Sequence, residues 1–250
     1  MIKDWILKLY LLPFNKNERL GMSVRNRIFQ DHQHLKGLTF ILKNYINRNE
    51  FGKTIIDVGC FDGSTSLFFK KELNNINVIG FEANPSSYEI AVKKTSTNPA
   101  IKVENYALSD FCGVTEFYVT DNEVSSSLNE LAGSDPRFNT VKVERVNTIT
   151  LDDYLKDRIN SNEKILAIKL DVQGHELKVL AGAKNTLKNT LFVLTEMSNH
   201  DSYKGGAYYY EVDEFLRQNG FRLHNIFAPF SYGSYLYEFD VLYINTSLNK

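Results

Sequence analysis

The stretch that most constrains the fold is Thr54–Gly63, TIIDVGCFDG, followed by a second apolar run that closes on an acid. Ile55 and Ile56 form a short apolar segment, Asp57 ends it, and Gly59 and Gly63 follow. This spacing predicts a buried strand, a sharp turn and a helix over Ser64–Lys71. Glycine lets backbone approach a ligand closely, and a helix N-terminus offers N–H groups to something anionic. The second run, Asn77–Phe81 ending at Glu82 in GFEANP, predicts the second strand of a βαβ unit. An acid at that tip sits where a ribose diol presents its hydroxyls.

Two cofactors share this geometry: a dinucleotide such as NAD, and S-adenosylmethionine (SAM), which has a ribose but no phosphate. The dinucleotide fingerprint needs G-x-G-x-x-G so that a pyrophosphate can pack on the turn. Here Phe61 stands where the second glycine belongs, and Asp62 would set negative charge beside a diphosphate. Asp57 and Asp62 suit the amino and sulfonium groups of SAM, so SAM is expected. Phe61 and Ala83, beside the turn and beside the acid, complete this part of the expected binding set.

The 250 residues suit one large α/β domain, and a net charge of -1 gives no field favouring nucleic acid or an anionic membrane. Neither a basic stripe nor an Asn/Asp-Pro-Pro-Tyr motif for nucleic-acid methylation is visible. Cys60 and Cys112 lie far apart, and the start MIKDWILKLYLLPF lacks the long apolar core of a secretory signal. A reduced, cytoplasmic setting is therefore expected, with no membrane span. Ile2, Trp5, Ile6 and Leu9 recur at helical spacing up to Pro13, an amphipathic helix fit for its own domain, a second subunit or a membrane surface.

Further along, helices are expected over Phe29–Tyr45, carrying His32 and His34, and over Pro85–Thr95. Strands are expected at Ile101–Asn105, Val114–Thr120 and Val141–Thr148, with a serine-rich loop, Asn122–Asn139, near the cofactor mouth. Thr150 caps a helix opening at Leu151. Ile165–Leu170 and Leu191–Thr195 read as buried strands, separated by a helix with Leu177, Leu180 and Leu187 inward. Val212–Asn219 reads as a helix stopped by Gly220. Phe221–Phe227 and Tyr237–Asn245 read as an antiparallel pair.

In open parallel sheets ligands bind beyond the carboxyl ends of the strands. Asp57, Glu82, Asp171 and Glu196 each close an expected central strand. Asp57 and Glu82 belong to the cofactor half, which leaves Asp171 and Glu196 for the acceptor. One of these carboxylates would take a proton from a hydroxyl, or the pair would hold a divalent ion, Mg or Mn, that orients a diol. His200, shortly after Glu196, and His175, at the start of the helix after Asp171, are further candidate bases. The tyrosines of Tyr203–Tyr210 offer stacking faces and hydroxyls to a sugar.

The blocks DVGCFDGSTSLFF, GFEANP, YALSD, SSSL, TITLDDYL and IKLDVQGHELKVLAGAKNTL, in this order, resemble the FkbM-type SAM-dependent methyltransferases over roughly residues 54–197. The resemblance implies an α/β class I methyltransferase (Rossmann-like) fold with a mostly parallel seven-stranded sheet, last strand antiparallel. It also implies O-methylation, usually of a sugar or polyketide hydroxyl. Carried onto this chain, Asp57, Gly59 and Gly63 form the donor turn and Glu82 takes the ribose. Ala107 and Ser109 lie where adenine is held, and Ser126 and Ser127 fall in a serine-containing loop. The chain departs from the family's common form at Cys60-Phe61-Asp62 and at Gln173, where an acid is frequent. An N-terminal helical extension, residues 1–50, would precede a methyltransferase domain, residues 51–250. The expected function is O-methylation of a sugar hydroxyl in a glycan. The rivals are an NAD-dependent oxidoreductase of a nucleotide sugar and a non-catalytic methyltransferase-like binding module.

Overall fold

The computed structural model describes residues 35–46, 52–133, 137–158, 163–232 and 234–248. The expected helix at Ile2–Leu9, with its membrane or partner contact, and His32 and His34 lie outside the described residues. Of the helix expected over Phe29–Tyr45, residues 35–46 are described and helical (α1).

The strands β1 (Thr54–Val58), β7 (Ile165–Leu170) and β8 (Thr190–Ser198) are almost wholly buried. That is what continuous apolar runs such as ILAIKL and LFVL require, because a central parallel strand is covered on both faces. With β2 (Asn77–Phe81), β3 (Ile101–Glu104), β9 (Phe221–Tyr232) and β10 (Tyr235–Asn245) they form a seven-stranded sheet in the order β3-β2-β1-β7-β8-β10-β9. The pairs from β3 through β8 are parallel, and the final strand, β10, runs antiparallel to both its neighbours.

Helices cover both faces. Leu35, Leu38 and Leu42 of α1 and Phe69 of α2 (Ser64–Glu72) pack with Ile55, Leu166 and Phe192 on one side. On the other, α4 (Leu151–Leu155), α5 (Glu176–Ala181), α6 (Lys184–Lys188) and α7 (Tyr209–Gln218) bury Tyr154, Leu180, Leu187 and Leu216 against Ile56, Ile168 and Val193. Between β2 and β3 runs α3 (Pro85–Thr95), capped by Asn84, whose side chain accepts from the Ser86 and Ser87 N–H groups.

Several boundaries differ from the sequence reading for local reasons. The helix expected to carry Leu177, Leu180 and Leu187 is two short ones, broken at Gly182. A side chain there would stand 2.0 Å from the Ser109 carbonyl, so the chain passes as bare backbone. The last helix starts at Tyr209 rather than Val212, because the Glu211 carboxylate accepts from the Tyr208 N–H and closes an earlier turn. The strands expected at Val114–Thr120 and Val141–Thr148 pair antiparallel as β5 (Gly113–Thr120) and β6 (Thr140–Ile149). Ala107–Leu108 (β4) joins β6, making a separate three-stranded sheet that walls the open end of the main one. No described helix is long and apolar enough to cross a membrane.

Candidate active site

A cleft of about 370 Å³ opens at the carboxyl ends of β1, β2, β7 and β8, within the range of small-molecule sites. The turn Gly59–Asp62 forms its floor, Glu82 and Ala83 one wall, and Ala107, Leu108, Phe117 and Leu128 an apolar end. The serine-rich loop reaches the mouth as expected: a 3-10 turn, Glu123–Ser125, leads to Ser126 and Ser127. Ser127 Oγ donates to the Gln173 carbonyl at 2.8 Å, and Ser126 Oγ accepts from the Thr120 N–H at 3.1 Å.

Glu82 stands at the cleft edge with both carboxylate oxygens engaged. Oε2 accepts from the Phe61 N–H and Oε1 from the Asn84 N–H, each at 2.8 Å. Burial pushes its pKa up to about 7, against the pull of those two N–H groups. Phe61 itself holds φ 48, the left-handed region, which brings its N–H to the carboxylate.

The turn differs from the sequence expectation in what it offers a ligand. The Gly59 and Cys60 N–H groups both donate to the Phe81 carbonyl, Gly63 donates to the Cys60 carbonyl, and Ser64 donates to Asp62. Asp62 is moreover paired with Lys94 at 2.6 Å. Burial works against its charge, but Lys94 and Ser64 outweigh it and hold the carboxyl below the usual range. These N–H groups are therefore spent inside the protein rather than presented to an anion.

Gly59 is required by the protein's own backbone. It sits at φ 74, and a Cβ there would lie 2.0 Å from the Asp171 carbonyl oxygen. Gly59→Ala is expected to destabilise the fold by roughly 3 kcal/mol through left-handed strain and overpacking. Chemical denaturation measures this, and an unchanged midpoint would contradict it. Gly63, at φ 77, is the residue before α2 and packs on Thr95 and Ala91 instead of lining the cleft.

Asp57 needs the largest correction. It lies inside β1, fully buried, and its side chain points under α2 rather than into the cleft. Ser66 Oγ donates to its Oδ2 at 2.7 Å, while Oδ1 faces Lys169 Nζ at 3.5 Å. Asp57 and Lys169 are register partners on β1 and β7, so pleat alternation puts both on the same face. Burial raises the Asp57 carboxyl above its ordinary value. It also works against the Lys169 ammonium, but Asp171 and then Asp57 outweigh it and keep Lys169 charged. Lys169 lines the cleft and is not among the residues the sequence reading singles out, although a lone charge within the apolar run ILAIKL is a signal for it.

Asp171 and Glu196 both line the cleft. The Asp171 side chain is 43% exposed, which leaves it accessible to an incoming molecule. Glu196 lies within β8 rather than at its end, opposite Asp240 of β10. Gln173 Nε2 stands between them, donating to Asp171 Oδ1 at 3.0 Å and to Glu196 Oε2 at 2.7 Å. A cation bridging the pair would have to displace this amide. Among the described residues, no group of three or more His, Cys, Asp or Glu is arranged to hold a metal ion.

Of the two histidines, His175, just before α5, lines the cleft and His200 does not. His175 Nδ1 lies 2.7 Å from Asn129 Oδ1, and its Nε2 lies 3.0 Å from Ser109 Oγ. Asn129 Nδ2 donates to the Gly174 carbonyl, so Oδ1 receives the Nδ1 proton, and Nε2 is left as an acceptor that shares the one Ser109 hydroxyl proton with Asp110 Oδ1. Both ring nitrogens are used, and Ser109 is wholly buried beside them instead of lining the cleft. His200 lies outside the cleft lining, stacked on Tyr237 and bonded to its hydroxyl at 2.7 Å. Nor does any residue of Tyr203–Tyr210 line the cleft. Tyr203 is buried against Gly174, and Tyr208 stacks on Tyr210.

Three buried groups give a pH signature. Glu82 and Glu176 have pKa values raised to about 7, and His175 is lowered to about 4, burial being the first cause in each case. The two glutamates hold protons longer in the folded state. Their contribution to stability is full below pH 4.5 and is lost as pH rises through about 7. His175 acts oppositely: its contribution is present above pH 6.5 and lost as pH falls through about 4. Carbon-detected NMR titration should show the Glu82 and Glu176 carboxyls with midpoints near 7. Midpoints near 4.5 for both would contradict the burial described.

The sheet order, the antiparallel final strand and the cleft over the first two strand tips define a class I methyltransferase fold. A solved structure of magnesium protoporphyrin IX methyltransferase from Synechocystis PCC 6803 with bound SAM matches it at TM-score 0.51 and 13% identity, over 97% of this chain and 90% of that one. The chain belongs to the methyltransferase FkbM domain family, whose model matches residues 57–223. It is 29% identical over 161 residues to the 2-O-methyltransferase NoeI of Sinorhizobium fredii, covering 60% of this chain and 65% of that protein. With the hexuronic acid methyltransferase AglP of Haloferax volcanii it shares 26% identity over 167 residues, 65% of this chain and 63% of that one. The chain thus matches slightly under two thirds of the length of both relatives.

Proposed function

We propose that this protein transfers a methyl group from SAM to a hydroxyl of an uncharged sugar in a glycan. The observation that carries the donor assignment is the state of the turn. Its N–H groups at Gly59, Cys60, Phe61, Gly63 and Ser64 already donate to protein acceptors. A diphosphate would find most donors of this turn already engaged, which disfavours a dinucleotide. A sulfonium nucleoside needs none. Glu82 would accept from the ribose hydroxyls, and Ala107, Leu108, Phe117 and Leu128 offer apolar walls to a purine.

Bound SAM would supply a methyl group on a sulfonium, and the displacement needs chiefly alignment of carbon, sulfur and acceptor oxygen. Asp171, whose side chain is 43% exposed, takes the hydroxyl proton, and Gln173 and Lys169 fix its surroundings. Relatives named for a 2-O-methyltransferase and a hexuronic acid methyltransferase support a saccharide acceptor. Asp62, Glu82, Glu123, Asp171, Glu196 and Asp240 line the cleft against Lys169, and this excess of carboxylates favours a neutral sugar over a uronate.

Incubation with methyl-labelled SAM and paired glycans, one neutral and one bearing uronic acid, tests the reading. Label on oxygen of the neutral glycan is expected; label on nitrogen, or on the uronate alone, would overturn it.

A further inference from the structure

Gln173 lies at the centre of the acceptor side and has an unusually determined environment. Its backbone takes φ 55, its carbonyl accepts from Ser127, and its side chain is buried between three partners. Nε2 donates to Asp171 Oδ1 and Glu196 Oε2, while Oε1 lies 2.9 Å from the Tyr203 hydroxyl. That hydroxyl also faces the Ser125 carbonyl at 2.8 Å. The phenol shares its single proton between these two acceptors, and the amide orientation is fixed at its other end, because a flip would set Oε1 against the Asp171 and Glu196 carboxylates. The phenol stays protonated, because burial raises its pKa far above the ordinary tyrosine value.

Two carboxylates in one wall repel each other, and a protein can hold them together with a cation, a shared proton or a hydrogen-bond donor. The amide is such a donor, with one N–H for each acid. We propose that Gln173, held by Tyr203, is the positioning residue of the acceptor side: its amide occupies the bridging point between Asp171 and Glu196 and makes the pair work without a divalent ion. This rests on the assignment of these two acids to the acceptor half of the cleft. Gln173 does not touch the reacting atoms; it fixes where the Asp171 carboxylate points.

The substitution Gln173→Glu keeps size and shape but replaces the two N–H donors by a third carboxylate, and so turns a neutral clamp into three converging acids. Oxygen-rich, charge-dense sites bind divalent ions, with affinity set by ligand charge count. Manganese chloride alone serves as the probe, followed by calorimetry and by the loss of the free-ion electron paramagnetic resonance signal. S-adenosylhomocysteine affinity reports on the intact donor side. The unmodified protein should show no saturable Mn²⁺ binding in the micromolar range and no change in methyl transfer on chelation. Gln173→Glu should bind Mn²⁺ at least about 10-fold more tightly and retain its affinity for S-adenosylhomocysteine. Its kcat should fall about 10- to 100-fold with KM for the donor unchanged, as when an orienting partner is lost.

Tyr203→Phe is the second variant, because it releases the amide without adding charge. It should lower kcat in the same direction and gain no Mn²⁺ affinity. Saturable Mn²⁺ binding by the unmodified protein equal to that of Gln173→Glu would overturn the proposal. So would wild-type kcat in both variants. The metal-binding measurement needs no turnover, so failure to methylate any glycan would count against the proposed function and leave this test standing on its own.

Discussion

Replacing Glu82 by glutamine is expected to weaken S-adenosylhomocysteine binding by about 100-fold, far more than an isosteric change would suggest. The reason lies in the two backbone N–H groups that the carboxylate already accepts, one on each oxygen. Glutamine has a single acceptor oxygen. Its amide would therefore face the N–H of either Phe61 or Asn84, leaving a buried donor unsatisfied at a cost of about 1–3 kcal/mol. The Phe61 N–H is the more vulnerable of the two, because it holds a residue in left-handed conformation at the cleft floor. The same change removes the charged acceptor meant for the ribose. Calorimetry with S-adenosylhomocysteine measures the loss, and an affinity within a few-fold of the parent would contradict the role given to Glu82.

The second large effect is expected at Asp171. Asp171→Asn keeps an oxygen for the Gln173 N–H and so retains one side of the local geometry. It loses the basic carboxylate, and general-base contributions of this kind amount to about 10²–10⁴-fold in rate. The methyl-transfer rate should fall by that order while S-adenosylhomocysteine affinity stays within about 3-fold, since the donor half of the cleft is untouched. Equal loss of both would mean that Asp171 acts through the fold, by way of its contact with Lys169, rather than on the acceptor.

Much of the architecture was legible because it follows from local rules. Thr54–Val58 and Ile165–Leu170 are apolar on both faces, and only a central parallel strand needs that. Gly59 and Gly63 announced the turn, and Glu82 announced the second strand tip. What the sequence reading missed depends on side-chain direction and on tertiary contact. Asp57 was grouped with the strand-tip acids, yet the strand runs one residue further and its pleat sends the carboxylate under α2 to Ser66. Gly59 reads as a ligand-binding glycine, whereas the Asp171 carbonyl is what leaves no room for a side chain. Nothing near His200 in the chain reveals Tyr237, which arrives from another strand. Tyr203 reads as part of an aromatic acceptor surface, whereas it is buried with its hydroxyl on the Gln173 amide oxygen. Gln173 stands out in the sequence only as a departure from the family's common form, because a neutral amide carries no charge to draw attention.

The most direct measurement is a crystal structure with S-adenosylhomocysteine bound. The account predicts the ribose on Glu82, the purine among Ala107, Phe117 and Leu128, and the sulfur turned towards Asp171. A nucleoside bound elsewhere, or a cleft beside Glu82 that stays closed to it at saturating concentration, would contradict the account.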